Sequence, residues 1–315
     1  MGCELKDKLP TIDFGKLDLK AAGSEEWNSV RDQVYKASEE YGAFEAILDD
    51  ATLSIPKERL FEKLKQVFSK PLKTLIPMCE KTGNGFHFIP SFPLHEALNI
   101  RYDLTPGIIE SISKTLWPNG DQEFCDLVHA YVKGMSAFSE MTRKMFFDKL
   151  GLENLWDEHN KSTFDSLSVI KYRLPNTDEA KVGLPSHKDP QISAILSQHQ
   201  IGVGGLKVMK KNGQWLDCEF SSPHSYIFLN GQCLTALTNG RLHSPVHQVI
   251  IGDKERYSIV AFTGFKGIIQ VPEKLVDEDH PLRYKPFDAA EFLQAYQKSV
   301  GGDVDAVSLE KFCGV

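Results

Sequence analysis

Seven short segments rich in apolar residues, at 167–172, 192–196, 206–209, 214–218, 225–229, 246–251 and 257–262, follow one another through the second half of this chain. Asn212-Gly213 is a strong two-residue hairpin turn, and Gly252-Asp253 reads as another. Strands this short cannot each bury a face alone, so they are expected to close on one another as a sandwich or barrel. The first half is different. Ser24 is placed to cap a helix whose Val30, Val34, Ala37 and Tyr41 recur at helical spacing. A strand at 43–48 follows. Pro56 opens a second helix with the stripe Leu60, Phe61, Leu64, Val67 and Phe68, which Pro71 ends. A third helix spans 122–150, with Phe124, Val128, Tyr131, Met135, Phe138 and Met145 mostly on one side and Gly151 as its stop. An amphipathic helix is expected at 289–300. These stripes read as core surfaces. With no internal repeat and no low-complexity linker, the expectation is one integrated unit: a mostly helical region over 1–160 packed on a β core over 161–315.

Composition excludes several classes. Of the 315 residues, 41% are hydrophobic and 25% charged, enough apolar material for a sizeable core and too much for a disordered chain. The net charge of −7 argues against a nucleic-acid binder, which needs a basic face. No run approaches the roughly 18 apolar residues of a membrane span. Gly2 and Cys3 suggest acylation, but the myristoylation pattern wants Ser or Thr where Lys6 stands. The cysteines, Cys3, Cys79, Cys125, Cys218, Cys233 and Cys313, show no CxxC spacing and read as reduced thiols of a cytoplasmic protein. The expectation is a monomer taking a small molecule, with no nucleic-acid or membrane partner.

Three elements carry chemistry. In His187-Lys-Asp189, residues two apart on a strand share a face, so an imidazole and a carboxylate can meet at one point; a solvated surface pair would look the same. His247 follows 58 residues after Asp189, where a returning strand can bring it beside the first pair. Two imidazoles and one carboxylate leave three coordination positions open, which suits a non-haem Fe(II) site. His243 is a rival ligand in the same segment. Arg256 and Ser258, nine residues beyond His247, share a strand face if Tyr257 points out, and together suit a bound carboxylate.

In this order the elements resemble the signature of iron- and 2-oxoglutarate-dependent dioxygenases, in their plant soluble branch. Pro10-Thr-Ile-Asp-Phe14, Tyr41-Gly-Ala-Phe-Glu45, Asn239-Gly-Arg241 and Leu282-Arg-Tyr-Lys-Pro-Phe287 extend the likeness over nearly the whole chain. Glu39–Ala46, Arg241–His247 and Phe312–Val315 look most like the subgroup typified by glucosinolate side-chain-modifying enzymes. The resemblance implies a mainly β fold, a distorted double-stranded β-helix (jelly roll) wrapped by helices. It implies His187, Asp189 and His247 as iron ligands, with Arg256, Ser258 and Tyr172 on 2-oxoglutarate. O2 is the second cosubstrate and ascorbate a candidate reductant. The implied reaction couples decarboxylation of 2-oxoglutarate to succinate with hydroxylation, desaturation or oxidative demethylation of a small plant specialised metabolite. A related iron oxidase that does not use 2-oxoglutarate, or a catalytically silent jelly-roll binding protein, is the alternative. By the same resemblance Phe86, His87, Phe88, Phe92, Phe262 and Phe265 are candidates for the substrate pocket, each equally readable as core. His87 and His95 read as surface residues or as hydrogen-bonding partners of the substrate. Departures from the family pattern are Ile170, Lys188, Gln232, Gln248 and Asp49-Asp50.

Overall fold

The computed structural model describes residues 8–15, 17–48, 56–70, 84–299 and 308–315. Gly2, Cys3, Asp49, Asp50, Pro71, Cys79 and Val300 lie outside the described residues. Strands β1 (Thr11–Asp13), β2 (Ala43–Ile47), β3 (Gly85–Phe88), β4 (His95–Ile100), β5 (Thr163–Tyr172) and β6 (Val182–His187) come first along the chain. They are followed by β7 (Ser193–Gln198), β8 (Leu206–Met209), β9 (Trp215–Asp217), β10 (Ser225–Asn230), β11 (His247–Ile250) and β12 (Arg256–Phe265). The larger sheet has the order β1-β2-β10-β7-β12-β5-β4-β3 and the smaller β6-β11-β8-β9; a separate pair joins β13 (Ile268–Ile269) and β14 (Phe287–Asp288).

The seven expected strands all form, and three unexpected ones, β3, β4 and β6, join them. Gly183 and Pro185 break the strand pattern of β6 in the sequence, yet β6 is an edge strand, where a proline costs no ladder bond. Asn212-Gly213 turns the β8–β9 hairpin, with Gly213 at φ +85°. Gly252-Asp253 does not close a hairpin as expected. It carries the chain from β11 in the smaller sheet to β12 in the larger.

Strand alternation sorts the larger sheet into two buried layers. On one side Leu98, Leu167, Val169, Ile195, Phe228, Ile259 and Ala261 pack with helical residues such as Trp27, Tyr131 and Phe138. On the other, Ala97, Ile170, Tyr172, Ala194, Leu196, Leu229 and Val260 meet Leu206, Val208, Leu216 and Val249 of the smaller sheet. The expected jelly-roll layering is therefore present, with helices outside. The helix Gln122–Leu150 backs the larger sheet. Asp121 caps it by accepting from the Phe124 N–H at 2.8 Å, and Gly151 ends it at φ +67°, a left-handed conformation that glycine adopts without a side-chain clash. Its Tyr131 hydroxyl bonds Ser197 Oγ at 2.8 Å, fixing helix against sheet.

Candidate metal centre

His187 ends β6 and His247 begins β11, and the antiparallel register places the two directly opposite. Their rings lie 4.2 Å apart, centroid to centroid. β6 stops at His187, so Asp189 stands beyond the strand and not on a shared strand face. A turn brings it in. The Gln232 N–H donates to the Asp189 carbonyl at 2.8 Å, and Gln232 Nε2 donates to the Lys188 carbonyl at 3.4 Å. Gln232, a departure from the family pattern, thus braces the turn. Asp189 Oδ1 is 3.6 Å from His187 Nε2, and Oδ2 is 3.7 Å from His247 Nε2. The ligand atoms of the three residues lie within 4.8 Å of one another, and no other such group of three occurs among the described residues.

Both imidazoles are oriented alike. His187 Nδ1 is 2.8 Å from the Pro185 carbonyl and His247 Nδ1 is 3.3 Å from the Pro245 carbonyl. A carbonyl only accepts, so each Nδ1 carries the proton and donates it, leaving the Nε2 lone pair toward the carboxylate. Burial, reinforced by His247, pushes His187 down to about 4, so its imidazole is neutral at physiological pH. The separations suit donors placed about 2 Å from a shared ion. The rival His243 is outside this group; its carbonyl accepts from Asn230 Nδ2 at 3.0 Å.

A second polar cluster lies on the inner face of the larger sheet. His95, Tyr172 and Arg256 form one row across β4, β5 and β12. The Arg256 guanidinium sits 5.3 Å from the Tyr172 ring centroid, and the His95 ring meets the same tyrosine edge-on at 5.4 Å. Arg256 Nη1 donates to Ser258 Oγ at 3.0 Å and Nε to Gln198 Oε1 at 3.0 Å; Nη2 is buried without a partner. Burial pushes the Tyr172 hydroxyl up to about 12, so it is a hydrogen-bond donor at neutral pH. Tyr257, between Arg256 and Ser258, is half-buried on the other side. Ile170 offers only packing in the inner layer.

A cavity of about 400 Å³ opens beside the triad, lined by His187, Asp189, Ile89, Phe92, Leu184, Gln191, Phe262, Leu293 and Tyr296 among others. Of the aromatic candidates, Phe92 and Phe262 line it. Phe86 is instead buried on the helix side, 6.4 Å from Phe68, and Phe265 stacks on His159 at 5.5 Å. Phe88 is 49% exposed and His87 half-buried. His95 is not a surface residue: it is 8% exposed, with Nδ1 unpartnered. Tyr296 and Leu293, from the helix Ala289–Ser299, and Gln191 and Gln198 were not singled out in the sequence. Tyr296 lies close enough to Asp189 that the carboxylate adds to burial in raising its hydroxyl. Leu293, Tyr296 and Gln297 recur at i, i+3 and i+4, a one-face pattern that could have marked them.

A model of the 2OG-Fe(II) oxygenase superfamily matches residues 164–264. The Arabidopsis thaliana protein named "Probable 2-oxoglutarate-dependent dioxygenase AOP1.2" is 36% identical over 303 residues, covering 93% of this chain and 92% of its own. The 2-oxoglutarate-dependent dioxygenase AOP3 of the same plant is 25% identical, with 98% of each chain covered. In structure, the rice dioxygenase for auxin oxidation aligns at a TM-score of 0.78 with 21% identity, over 97% of this chain and 100% of that one. JOX2, solved with 2-oxoglutarate, iron and JA, aligns at 0.75 with 21% identity, over 92% and 85%. Those two alignments establish the double-stranded β-helix core. The extended similarity to the first relative goes further, and by it this chain belongs to the 2-oxoglutarate- and Fe(II)-dependent oxygenases, as a dioxygenase of plant type.

Proposed function

We propose that His187, Asp189 and His247 hold the iron, that Arg256, Ser258 and Tyr172 hold the distal carboxylate of 2-oxoglutarate, and that a small, largely apolar specialised metabolite enters the cavity over Phe92 and Phe262. The observation that carries this reading is the triad itself, three converging donors of which His187 and Asp189 line a largely apolar cavity. The donor set fits ferrous iron: two neutral imidazoles and one carboxylate take one side of the ion and leave three positions free. The unpartnered Nη2 of Arg256, a buried cation, fits a carboxylate. Bound there, iron and 2-oxoglutarate supply O2 activation coupled to decarboxylation, and with it the power to oxidise an unactivated C–H bond.

The chain's own residues supply position and dryness. The Pro185 and Pro245 carbonyls hold the imidazole planes. Arg256 and Ser258 fix the far end of the cosubstrate, so its oxo-acid end is delivered to the metal in one orientation. Phe92, Phe262 and Leu293 keep water from the reacting carbon. The free, buried Cys125, Cys218, Cys233 and Cys313 support a reducing, cytoplasmic setting in which ascorbate keeps the iron ferrous. Among the described residues no helix is long and apolar enough to cross a membrane. A metabolite-library screen reading out succinate tests the proposal. At least one neutral, apolar compound is expected to raise 2-oxoglutarate-dependent succinate. A product heavier by about 16 mass units marks hydroxylation, lighter by about 2 desaturation, and lighter by about 14 demethylation. Absence of any 2-oxoglutarate turnover, with or without added compound, would overturn it.

A further inference from the structure

Arg256 is 2% exposed, yet no carboxylate pairs with it among the described residues. Neutral groups alone hold it: Gln198 Oε1 on Nε, Ser258 Oγ on Nη1, and the Tyr172 ring beneath. Gln198 is itself 6% exposed and fully engaged. Its Nε2 donates to the Gln200 carbonyl at 2.6 Å and to the Val203 carbonyl, so one amide ties the arginine to the segment at 200–205. That segment crosses closely over the arginine stem. At Gly205, with φ +121°, an added Cβ would stand 2.8 Å from the Ile250 carbonyl and 3.6 Å from Arg256 Cδ. Only glycine fits there.

We propose that Gln198 is a positioning residue for the cosubstrate: its amide hooks the 200–205 segment over Arg256 and aims the guanidinium so that Nη2 faces the incoming distal carboxylate, while its neutrality leaves the arginine's charge uncompensated. The choice of an amide matters. A carboxylate at 198 would accept the same Nε–H in a stronger, charge-assisted bond. It would also cancel the charge that the cosubstrate must meet, and it would face the Gln200 and Val203 carbonyls without a donor. The neutral amide is the side chain that orients without competing. This rests on the reading of Arg256 as the anchor of 2-oxoglutarate.

The test is binding of 2-oxoglutarate to the full chain loaded with Mn(II), followed anaerobically by calorimetry, with pyruvate as a second probe. Pyruvate keeps the oxo-acid end and lacks the distal carboxylate, so it does not read Arg256. Gln198→Glu is expected to weaken 2-oxoglutarate about thirtyfold or more, and Gln198→Met about tenfold, the range for losing a hydrogen bond to a charged group. Pyruvate affinity should stay within about twofold in both, since a general collapse of the site would weaken both probes and a lost orientation only one. Should Gln198→Glu not fold, Gln198→Met alone decides. Unchanged 2-oxoglutarate affinity in Gln198→Met, with a large loss in Arg256→Ala, would overturn the role of Gln198 and leave the anchor standing. Unchanged affinity in Arg256→Ala would overturn the anchor itself, and this proposal with it. Equal loss of both probes in Gln198→Met would mean a structural role only.

Discussion

The two faces of the larger sheet are both buried and are built differently. The helix-side face is mostly aliphatic and aromatic: Phe228 stacks on Phe44 at 5.1 Å and meets Phe138 and Phe146 edge-on at 6.2 Å each. The inner face, looking toward the smaller sheet, interrupts its apolar residues with His95, Gln198, Arg256 and Ser258. Along β12 the two programmes alternate. Arg256, Ser258, Val260 and Phe262 face inward, while Ile259, Ala261 and Thr263 face the helices. Buried polar and charged groups cost stability unless they are paired. The inner layer gathers its buried polar groups into one cluster around Arg256, whereas on the helix side groups such as Arg143 and His159 stand singly among aromatic packing that offsets their cost.

The contrast can be broken from either side. Arg256→Ala should raise the 2-oxoglutarate requirement more than a hundredfold, roughly 3–5 kcal/mol by the cost of removing one member of a buried charge pair. Its urea midpoint should hold or rise, because an unpaired buried cation is gone. Steady-state succinate assays and urea unfolding check both halves. Phe228→Ala should do the reverse, losing roughly 3–5 kcal/mol of stability as a cavity opens among three aromatic neighbours. Its apparent affinity for 2-oxoglutarate should not change at a temperature where it is folded. If the two variants lost affinity and stability together, the layers would not be separate.

A smaller effect concerns acid. His159, held between Phe147 at 4.5 Å and Phe265 at 5.5 Å, is pushed down to about 3, by burial first and then by Arg143. Its folded form therefore resists protonation while the unfolded chain takes a proton near pH 6.5. Stability from this residue is complete above that value and is lost as pH falls toward 3. Between pH 7 and 5 the loss is on the order of 2 kcal/mol, and His159→Phe should remove that part of the slope in urea unfolding. An unaltered slope would place the acid sensitivity elsewhere.

Much of this was readable in the sequence, for identifiable reasons. The helix Gln122–Leu150 was legible from its apolar stripe and from Gly151 at its end; its cap, Asp121, emerges only in the structure. His187, Asp189 and His247 stand out in the sequence because they are the side-chain types a metal site uses, and the structure brings them together, although through a turn after β6 and not a shared strand face. Parity along a strand separates the aromatic candidates that reach the cavity from those that do not. Phe262 lies an even number of positions from Arg256 and faces the cavity; Phe265 lies an odd number away and faces the helices. Phe86 opposes Leu98, so it shares that residue's helix-side layer. Gln198 had no local signature at all. Its role comes from lying opposite Ser258 in register, a contact between segments 60 residues apart that no pattern within either one encodes.

The most direct test of the central claim is an anaerobic Fe(II) titration of the wild-type chain beside His187→Ala and His243→Ala. One ferrous ion is expected per wild-type chain, with the same stoichiometry in His243→Ala and loss of tight binding in His187→Ala. Iron retained by His187→Ala, or lost from His243→Ala, would contradict it.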